Sequence, residues 1–299
     1  MAFLKYSDLP IFADLSASSD ALPAKTVANI FAATEASISF DANLSPNKYL
    51  GKAQIRNDYS TTGPMEAKFS FTFYPLIEKD TTNLNINSSN QALFFDLTGN
   101  NEQGNVFIFS NLVLRKTVLQ NYSIKINPYQ PVSVTANFIS YDVTGLKDQQ
   151  IQAFTESSLV IPKNSAAPYY ESLHALTTKM DGTSTNIPAA KVSIEVNVDC
   201  QRTPIYTLGN KIPDSVILTA VERTTTIQGE DVGAIMDITG ANAGATNIYF
   251  LPLSKYGSDP TSVNNVLNLD INGRITSQQL QVAQNSMMNG RVVIKENIL

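Results

Sequence analysis

Two stretches in which apolar and polar residues strictly alternate, one in each half of the chain, constrain the fold most. Residues 36–43 read Ala-Ser-Ile-Ser-Phe-Asp-Ala-Asn, and residues 192–199 read Val-Ser-Ile-Glu-Val-Asn-Val-Asp in the same phase. Successive side chains of a strand point to opposite faces of a sheet, so each stretch predicts a half-buried β-strand. The recurrence of one strand pattern in both halves indicates an internal repeat.

The sequence that follows each strand repeats as well. Residues 46–52 contain a Pro and then Tyr-Leu-Gly-Lys, and residues 204–211 read Pro-Ile-Tyr-Thr-Leu-Gly-Asn-Lys. The Pro, Tyr, Leu, Gly and Lys recur in the same order, with two extra residues in the second copy. The resemblance between the halves therefore extends beyond the alternating strand.

Two further blocks occur in the same order in both halves. Residues 95–101 (Phe-Asp-Leu-Thr-Gly-Asn-Asn) match residues 236–242 (Met-Asp-Ile-Thr-Gly-Ala-Asn), and an aromatic strand follows each. A weaker block pairs residues 134–137 with 282–285. Three collinear matches favour a duplication, which divides the chain into a first domain at 1–155 and a second at 156–299.

The predicted fold class is mainly β, with two duplicated sandwich-like domains that each carry a flanking helix. The helices are predicted over residues 23–33 and 167–177, because each segment has a Pro suited to a first helical turn. Most other apolar segments have strand patterns, and Asn272-Gly273 and Asn289-Gly290 are candidate hairpin turns.

The composition excludes several classes of function. The chain has 299 residues and a net charge of −5, with no cluster of Lys or Arg, so we expect no tight binding to DNA. A single cysteine rules out an intramolecular disulfide. Neither a signal peptide nor an apolar run long enough to cross a membrane is found, which predicts synthesis in a cytoplasm.

The sequence predicts no catalytic residue, no cofactor and no metal ion. His174 and Cys200 are the only residues of their types, too few for a zinc site, and neither lies in a nucleophile motif. Cys200 is expected to be a buried, unreactive thiol. Asp96 and Asp237 recur before Thr-Gly, as turn residues would, and residues 270–273 lack the carboxylates of a calcium loop.

Residues 192–213 resemble the tail-tube and related virion proteins of bacteriophages. In that family an alternating strand leads into the pattern Arg-Thr-Pro-Ile-Tyr-x-Leu-Gly. The matching positions in this chain are Arg202, Thr203, Pro204, Ile205, Tyr206, Leu208 and Gly209. The first half keeps a reduced version, with Asn47-Lys48 in place of the residues before its Tyr.

The resemblance implies a structural subunit of the phage tail, located in the virion, that is not an enzyme. Such subunits associate side by side into rings whose inner strands form a continuous barrel, so each sheet edge is paired by the next subunit. The rings stack into a tube that conducts DNA without binding it specifically. Its other partners would be baseplate and terminator proteins, and a sheath or tape-measure protein. The ring could be a trimer with two barrel-forming domains per chain, or a hexamer with one.

Two alternatives remain open within the same resemblance. The chain could be another tail or neck component, such as a baseplate hub, terminator or collar. It could also be a receptor-binding or decoration protein, although the absence of Trp argues against carbohydrate recognition.

Overall fold

The computed structural model describes residues 11–13, 22, 30–31, 33–41, 44–46, 59–61, 66–74, 76–78, 104–109, 112–127, 130–145, 170–180, 186–188, 192–229, 246–252, 267–271, 273–281 and 289–299. Within these ranges the regular structure consists of strands alone, which confirms the predicted mainly β class. None of the described segments is a helix that could cross a membrane.

The strands vary in length from two residues to fifteen. In chain order they are β1 (Ile11–Ala13), β2 (Ile30–Phe31), β3 (Ala33–Asp41), β4 (Leu44–Pro46), β5 (Tyr59–Thr61), β6 (Glu66–Phe73), β7 (Leu76–Glu78), β8 (Asn105–Phe109), β9 (Leu112–Ile126), β10 (Ser133–Gly145), β11 (Tyr170–Met180), β12 (Asn186–Pro188), β13 (Val192–Ile205), β14 (Ser215–Gly229), β15 (Thr246–Pro252), β16 (Leu267–Ile271), β17 (Arg274–Gln281) and β18 (Asn289–Asn297).

One antiparallel sheet contains most of these strands. Its main path runs β3-β6-β10-β9-β13-β14-β18-β17, and β8, β1 and β2 branch from β9. A second sheet has the order β12-β11-β15-β16, with β7 also paired to β11, and β4 pairs with β5. The first four strands of the main path come from residues before 155 and the last four from residues after it.

The two groups of four strands meet where β9 pairs with β13. The antiparallel register runs from Ile194 opposite Ile126 to Asp199 opposite Asn121. Backbone hydrogen bonds therefore continue the sheet from one half of the chain into the other without an edge between them.

The alternation in the sequence determines which side of the main sheet is buried. On β6, Phe69, Phe71 and Phe73 are buried, whereas Lys68, directly before Phe69, is exposed. The β8 branch covers these rings, because the Phe107 ring centroid lies 4.7 Å from that of Phe138 and 5.7 Å from that of Phe69. We call this apolar side the core face.

Around β6 and the adjoining parts of β10 and β9 the opposite side of the sheet is polar, and its side chains bond to one another across the strands. The Thr72 and Thr135 hydroxyls are 2.9 Å apart, and the Asn137 amide donates to Asn121 Oδ1 over 2.6 Å. These contacts join β6, β10 and β9 on the side away from the Phe rings. We call this side the polar face.

The helix predicted over residues 167–177 is wrong. Residues from Tyr170 onward form β11, which pairs with β15, β12 and β7. Local propensity favours a helix there only weakly, and backbone pairing with three strands overrides it. In the other predicted helix, 23–33, Ile30 and Phe31 form β2 and pair with β1; residues 23–29 and 32 lie outside the described residues.

One predicted hairpin turn is also wrong. Asn289 and Gly290 are the first residues of β18 and pair with Gln281 and Leu280, so they belong to the ladder. The connection between these strands is longer than a two-residue turn, because residues 282–288 separate them. For the other candidate turn, Asn272 lies outside the described residues.

Phe107 supplies the first test of this packing. It is fully buried and contacts rings on β6 and β10. We expect Phe107→Ala to lower the free energy of unfolding by about 3–5 kcal/mol, because a large cavity replaces the ring. Lys68→Ala, on the polar face beside Phe69, should change it by less than about 0.5 kcal/mol. Urea unfolding of both variants measures the difference; equal effects would contradict the assigned faces.

Candidate functional site

The two outer strands of the main sheet are the first candidate site. β3 pairs with β6, β17 pairs with β18, and no other described strand pairs with either of them. The outer side of each strand therefore has backbone donors and acceptors that lack partners among the described residues. Such edges are templates for pairing with another strand.

Both outer strands expose apolar side chains on the core face. Phe40 on β3 is 53% exposed, and Leu280 on β17 is 48% exposed. At the inner junction the situation is reversed. Val196 and Val198 of β13 are fully buried there, and Ile124 of β9 opposite Val196 is only 1% exposed.

A shared bulge relates the outer strand β17 to the junction strand β9. In β9, Gln120 is unmatched, because Leu119 faces Phe138 and Asn121 faces Asn137. In β17, Thr276 is unmatched in the same way between Ile275 and Ser277. A bulge adds one residue to one strand and bends it, so the two strands have the same local irregularity.

The second candidate site is the hairpin between β13 and β14, which contains the motif residues 202–209. Beyond Asp199, β13 no longer pairs with β9, and Arg202 bridges the gap by donating from Nε to the Leu119 carbonyl over 2.9 Å. Burial lowers the pKa of the Arg202 guanidinium. This contact joins the part of β13 beyond Asp199 to β9.

Apolar contacts hold the base of the same hairpin. Val216 of β14 is buried in one cluster with Val118 of β9 and with Ile139 and Tyr141 of β10. Burial raises the pKa of Tyr141 to about 12, so its hydroxyl stays neutral. The hairpin base is therefore packed against the neighbouring strand pair.

Hydrogen bonds order the tip of the hairpin. The backbone N–H of Asn210 donates to the Thr207 carbonyl over 3.0 Å, and the backbone N–H of Asp214 donates to the Ile205 carbonyl over 2.9 Å. The Thr207 hydroxyl donates to the Asp214 carboxylate, and this bond lowers the pKa of Asp214. Between these residues Gly209 has a φ of +92°, a conformation that L residues rarely adopt.

Leu208, at the centre of this ordered turn, is fully exposed. Sequence reasoning identified the motif but not this exposure, nor the exposed Phe40 and Leu280. Phe40 follows the alternation of its strand, so the sequence could reveal its face but not that its strand lies at a sheet edge.

Of the residues considered for chemistry, those that the structure describes lie on separate strands. Cys200 is buried in β13, and burial raises its pKa to about 11. His174 belongs to β11 in the other sheet. Asp270 and Ile271 end β16, and Gly273 precedes β17, whereas Asp96, Asp237 and Asn272 lie outside the described residues. Among the described residues no group of three His, Cys, Asp or Glu could hold a metal ion.

Comparison with known proteins assigns the chain to no group: no family model matches it, and no curated protein matches it significantly. The outer strands and the motif hairpin are therefore the features that can indicate its function.

Cys200 provides a test of the local packing. With a pKa of about 11 rather than the ordinary thiol value of 9.0, the thiolate fraction at pH 8 is about 100-fold lower than for a free thiol. We expect a thiol reagent at pH 8 to label the native chain at least about 100-fold more slowly than the unfolded chain. Similar rates in both states would contradict the burial of Cys200, and Cys200→Ser serves as the unlabelled control.

Proposed function

We propose that this chain is a structural, non-enzymatic subunit of a bacteriophage tail that assembles into rings, which stack into the tube that conducts DNA. The observation that carries the proposal is the strand order of the main sheet. The same order of four strands occurs twice along the sheet. The two outer strands of the sheet, β3 and β17, are therefore equivalent to β13 and β9, which pair at its centre.

The strand order supports the duplication. The main path consists of two sets of four strands, β3-β6-β10-β9 and β13-β14-β18-β17. With the strands of each set numbered along the chain, the first pairs with the second, the second with the fourth, and the fourth with the third. Residues 36–41 of the first alternating stretch lie on β3, and the second stretch, 192–199, lies on β13; these are the first strands of the two sets. This strand order makes β10, which contains residues 134–137, equivalent to β18. The sequence instead matches residues 134–137 with 282–285, so the strand order favours a different third repeated block.

The central junction then predicts how two chains would meet. In the order along the sheet, β13 is the first strand of its set and β9 is the last strand of the other. Likewise, β3 is the first strand of its set and β17 is the last strand of the other. If β3 of one chain pairs with β17 of the next as β13 pairs with β9, the new junction repeats the existing one. The exposed Phe40 and Leu280 would then be buried as their counterparts are.

The register of this pairing follows from rows of cross-strand partners. In the first set, the row of partners that begins at the residue after the bulge in β9 runs Asn121, Asn137, Ser70, Ser37. In the second set, the row that begins after the bulge in β17 runs Ser277, Val293, Thr226, Glu195. Ser39 therefore corresponds to Asn197, and Gln279 to Ser123. Because Asn197 lies opposite Ser123, we expect Ser39 opposite Gln279.

The same geometry favours three chains per ring over six. Both strand sets lie in one sheet, so neither set is free to lie outside a barrel while the other builds it. Three chains supply 24 strands from their main paths. At a spacing of about 4.8 Å and a tilt of about 40°, such a barrel is about 50 Å across its backbone, wide enough for a DNA duplex.

The polar face is suited to the inside of that barrel. The β8 branch covers the core face around β6 and β10, which leaves the polar face available to a lumen. Its side chains are mainly hydroxyls and amides, with charges of both signs such as Lys125 opposite Glu195. Without a cluster of cations to displace the counterions of DNA, a duplex could slide past without specific binding.

A terminator or collar ring built from the same strands would share these edges but would close as a single ring rather than extend into a tube. A receptor-binding or decoration protein has no need for two matched outer strands. The proposed partners are therefore further copies of the chain and the adjoining tail proteins.

Cysteine cross-linking tests the proposed edge pairing. We expect a mixture of a Ser39→Cys chain and a Gln279→Cys chain to form disulfide-linked dimers, because opposed Cβ atoms on neighbouring strands lie about 4.5–5.5 Å apart. A chain with both substitutions should give covalent species up to a trimer and none larger.

The matched control replaces Gln278, whose side chain belongs to the other face of β17. A mixture of Ser39→Cys and Gln278→Cys chains should stay unlinked, because adjacent strand residues point to opposite faces. Equal linking at positions 278 and 279, or none at 279 in assembled protein, would refute the pairing of β3 with β17. Loss of all products in Cys200→Ser versions would instead implicate the native cysteine.

A further inference from the structure

We propose that an open concavity beside the outer strand β17 receives Tyr59 of the next chain in the ring, in the way that the cluster around Val118 receives Val216 within one chain. This inference rests on the proposed function. The pairing of β3 with β17 concerns the backbones of two neighbouring chains, whereas this inference concerns a side-chain contact that makes their junction specific.

Within one chain, the central junction includes a contact beyond its paired strands. After Asp199 the β13–β14 hairpin no longer pairs with β9. Val216 of this hairpin is nevertheless fully buried, in a cluster with Val118 of β9 and with Ile139 and Tyr141 of β10. The hairpin of the second strand set therefore places a side chain on the first set.

The second set has an open concavity at the corresponding place. Counted from the bulges of β9 and β17, three pairs of positions are equivalent: Val118 and Arg274, Ile139 and Lys295, and Tyr141 and Asn297. In the first set these positions are apolar or aromatic, and Val216 covers them. In the second set they are polar, and they line a concavity of about 450 Å³ that also contacts Glu222.

The repeat identifies the segment that would fill this concavity. β4 and β5 follow the paired strands β3 and β6, as the end of the β13–β14 hairpin follows its own paired part. Pro204 lies opposite Val216. The matching proline, Pro46, lies opposite Tyr59. Tyr59 therefore has the position in the first set that Val216 has in the second, and pairing of β3 with β17 brings it to the concavity of the next chain.

The residue types at the two places differ in a matched way. Val216, a branched apolar side chain, packs on apolar and aromatic neighbours. The other concavity offers cations, and cations are attracted to the face of a tyrosine ring, more strongly once water is excluded. Lys295 is already paired with Glu222 over 2.7 Å, whereas Arg274 is exposed and has no ion-pair partner among the described residues. Arg274 is therefore the cation that Tyr59 would contact.

This difference also opposes an exchange of hairpins between chains. If Val216 covered Arg274, it would remove water from a charge without supplying a partner, which is costly. Each hairpin is thus suited to one of the two junctions and not to the other, and specificity of this kind depends on rejecting the wrong partner as well as on binding the right one.

The junction between chains also lacks a hydrogen bond that the central junction has. Arg202 donates to the Leu119 carbonyl within one chain. Leu44, two residues before Pro46, has the position of Arg202 and offers no side-chain donor. A contact of Tyr59 with Arg274 would supply a charged interaction at the junction where this one is missing.

The test is a double-substitution cycle on ring formation by the full-length chain. Sedimentation velocity over a concentration series compares Tyr59→Val, Arg274→Ala and the variant with both changes. We expect each single substitution to raise the concentration for half-maximal ring formation about tenfold, because each removes the same contact. The double variant should stay within about twofold of the single variants, because the effects of residues in contact do not add.

Arg291→Ala is the matched control. Arg291 is an exposed arginine of β18 that does not line the concavity, so its replacement removes the same charge and should leave ring formation at the parental concentration. Arg274→Ala should leave the urea unfolding midpoint unchanged, since the residue is exposed. If Tyr59→Val fails to fold, Tyr59→Phe replaces it. This variant keeps the ring, so it should assemble as the parent does and still lose about tenfold when Arg274→Ala is added.

The outcomes separate this inference from the proposed function. Parental assembly by Arg274→Ala, or additive effects that reach about a hundredfold in the double variant, would overturn the inference. The disulfide between positions 39 and 279 would still form in that case, so the proposed ring would stand. A parent chain that forms no rings would refute the proposed function, and the inference would fall with it.

Discussion

The antiparallel pairing of β9 with β13 is the interaction on which the rest of the structure depends. It joins four strands from one half of the chain to four from the other through backbone hydrogen bonds, and it buries Val196, Val198 and Ile124 on the core face. Because the two sets have the same strand order, the pairing leaves β3, the first strand of its set, at one end of the sheet. It leaves β17, the last strand in the order of the other set, at the opposite end. The sheet is therefore open, and its two end strands, β3 and β17, are equivalent to β13 and β9, which pair at its centre.

An open segment with matching ends has few stable outcomes. A contact between two different surfaces of identical chains either closes into a ring or continues as a helix. Exposed edges that remain unpaired promote uncontrolled aggregation, so proteins cover or pair them. A closed barrel of several chains satisfies both requirements, which is the physical reason that the strand order and the proposed tube function support each other.

Sequence patterns predicted the strands far better than their connections. The alternation at 36–43 and 192–199 predicts a strand and its apolar face, and β3 and β13 contain these residues, apart from 42–43 outside the described part. The apolar face of β13 is buried as predicted, whereas Ala36 and Phe40 of β3 are exposed. A helix is predicted over residues 167–177, yet residues 170–177 belong to β11, because the pairing of β11 with three distant strands has no local signal. Likewise, the exposure of Phe40 depends on what its strand pairs with rather than on its own sequence.

If both strand sets build one barrel, the number of chains in an assembled ring is the quantity that tests it most directly. Cryo-electron microscopy of the assembled protein gives the rotational symmetry, and the density of each subunit gives the count of chains. We expect three chains, with β3 of each paired to β17 of the next and a pseudo-sixfold repeat of the strand sets. A ring of six chains with one strand set outside the barrel would contradict it, as would a chain that stays monomeric at high concentration.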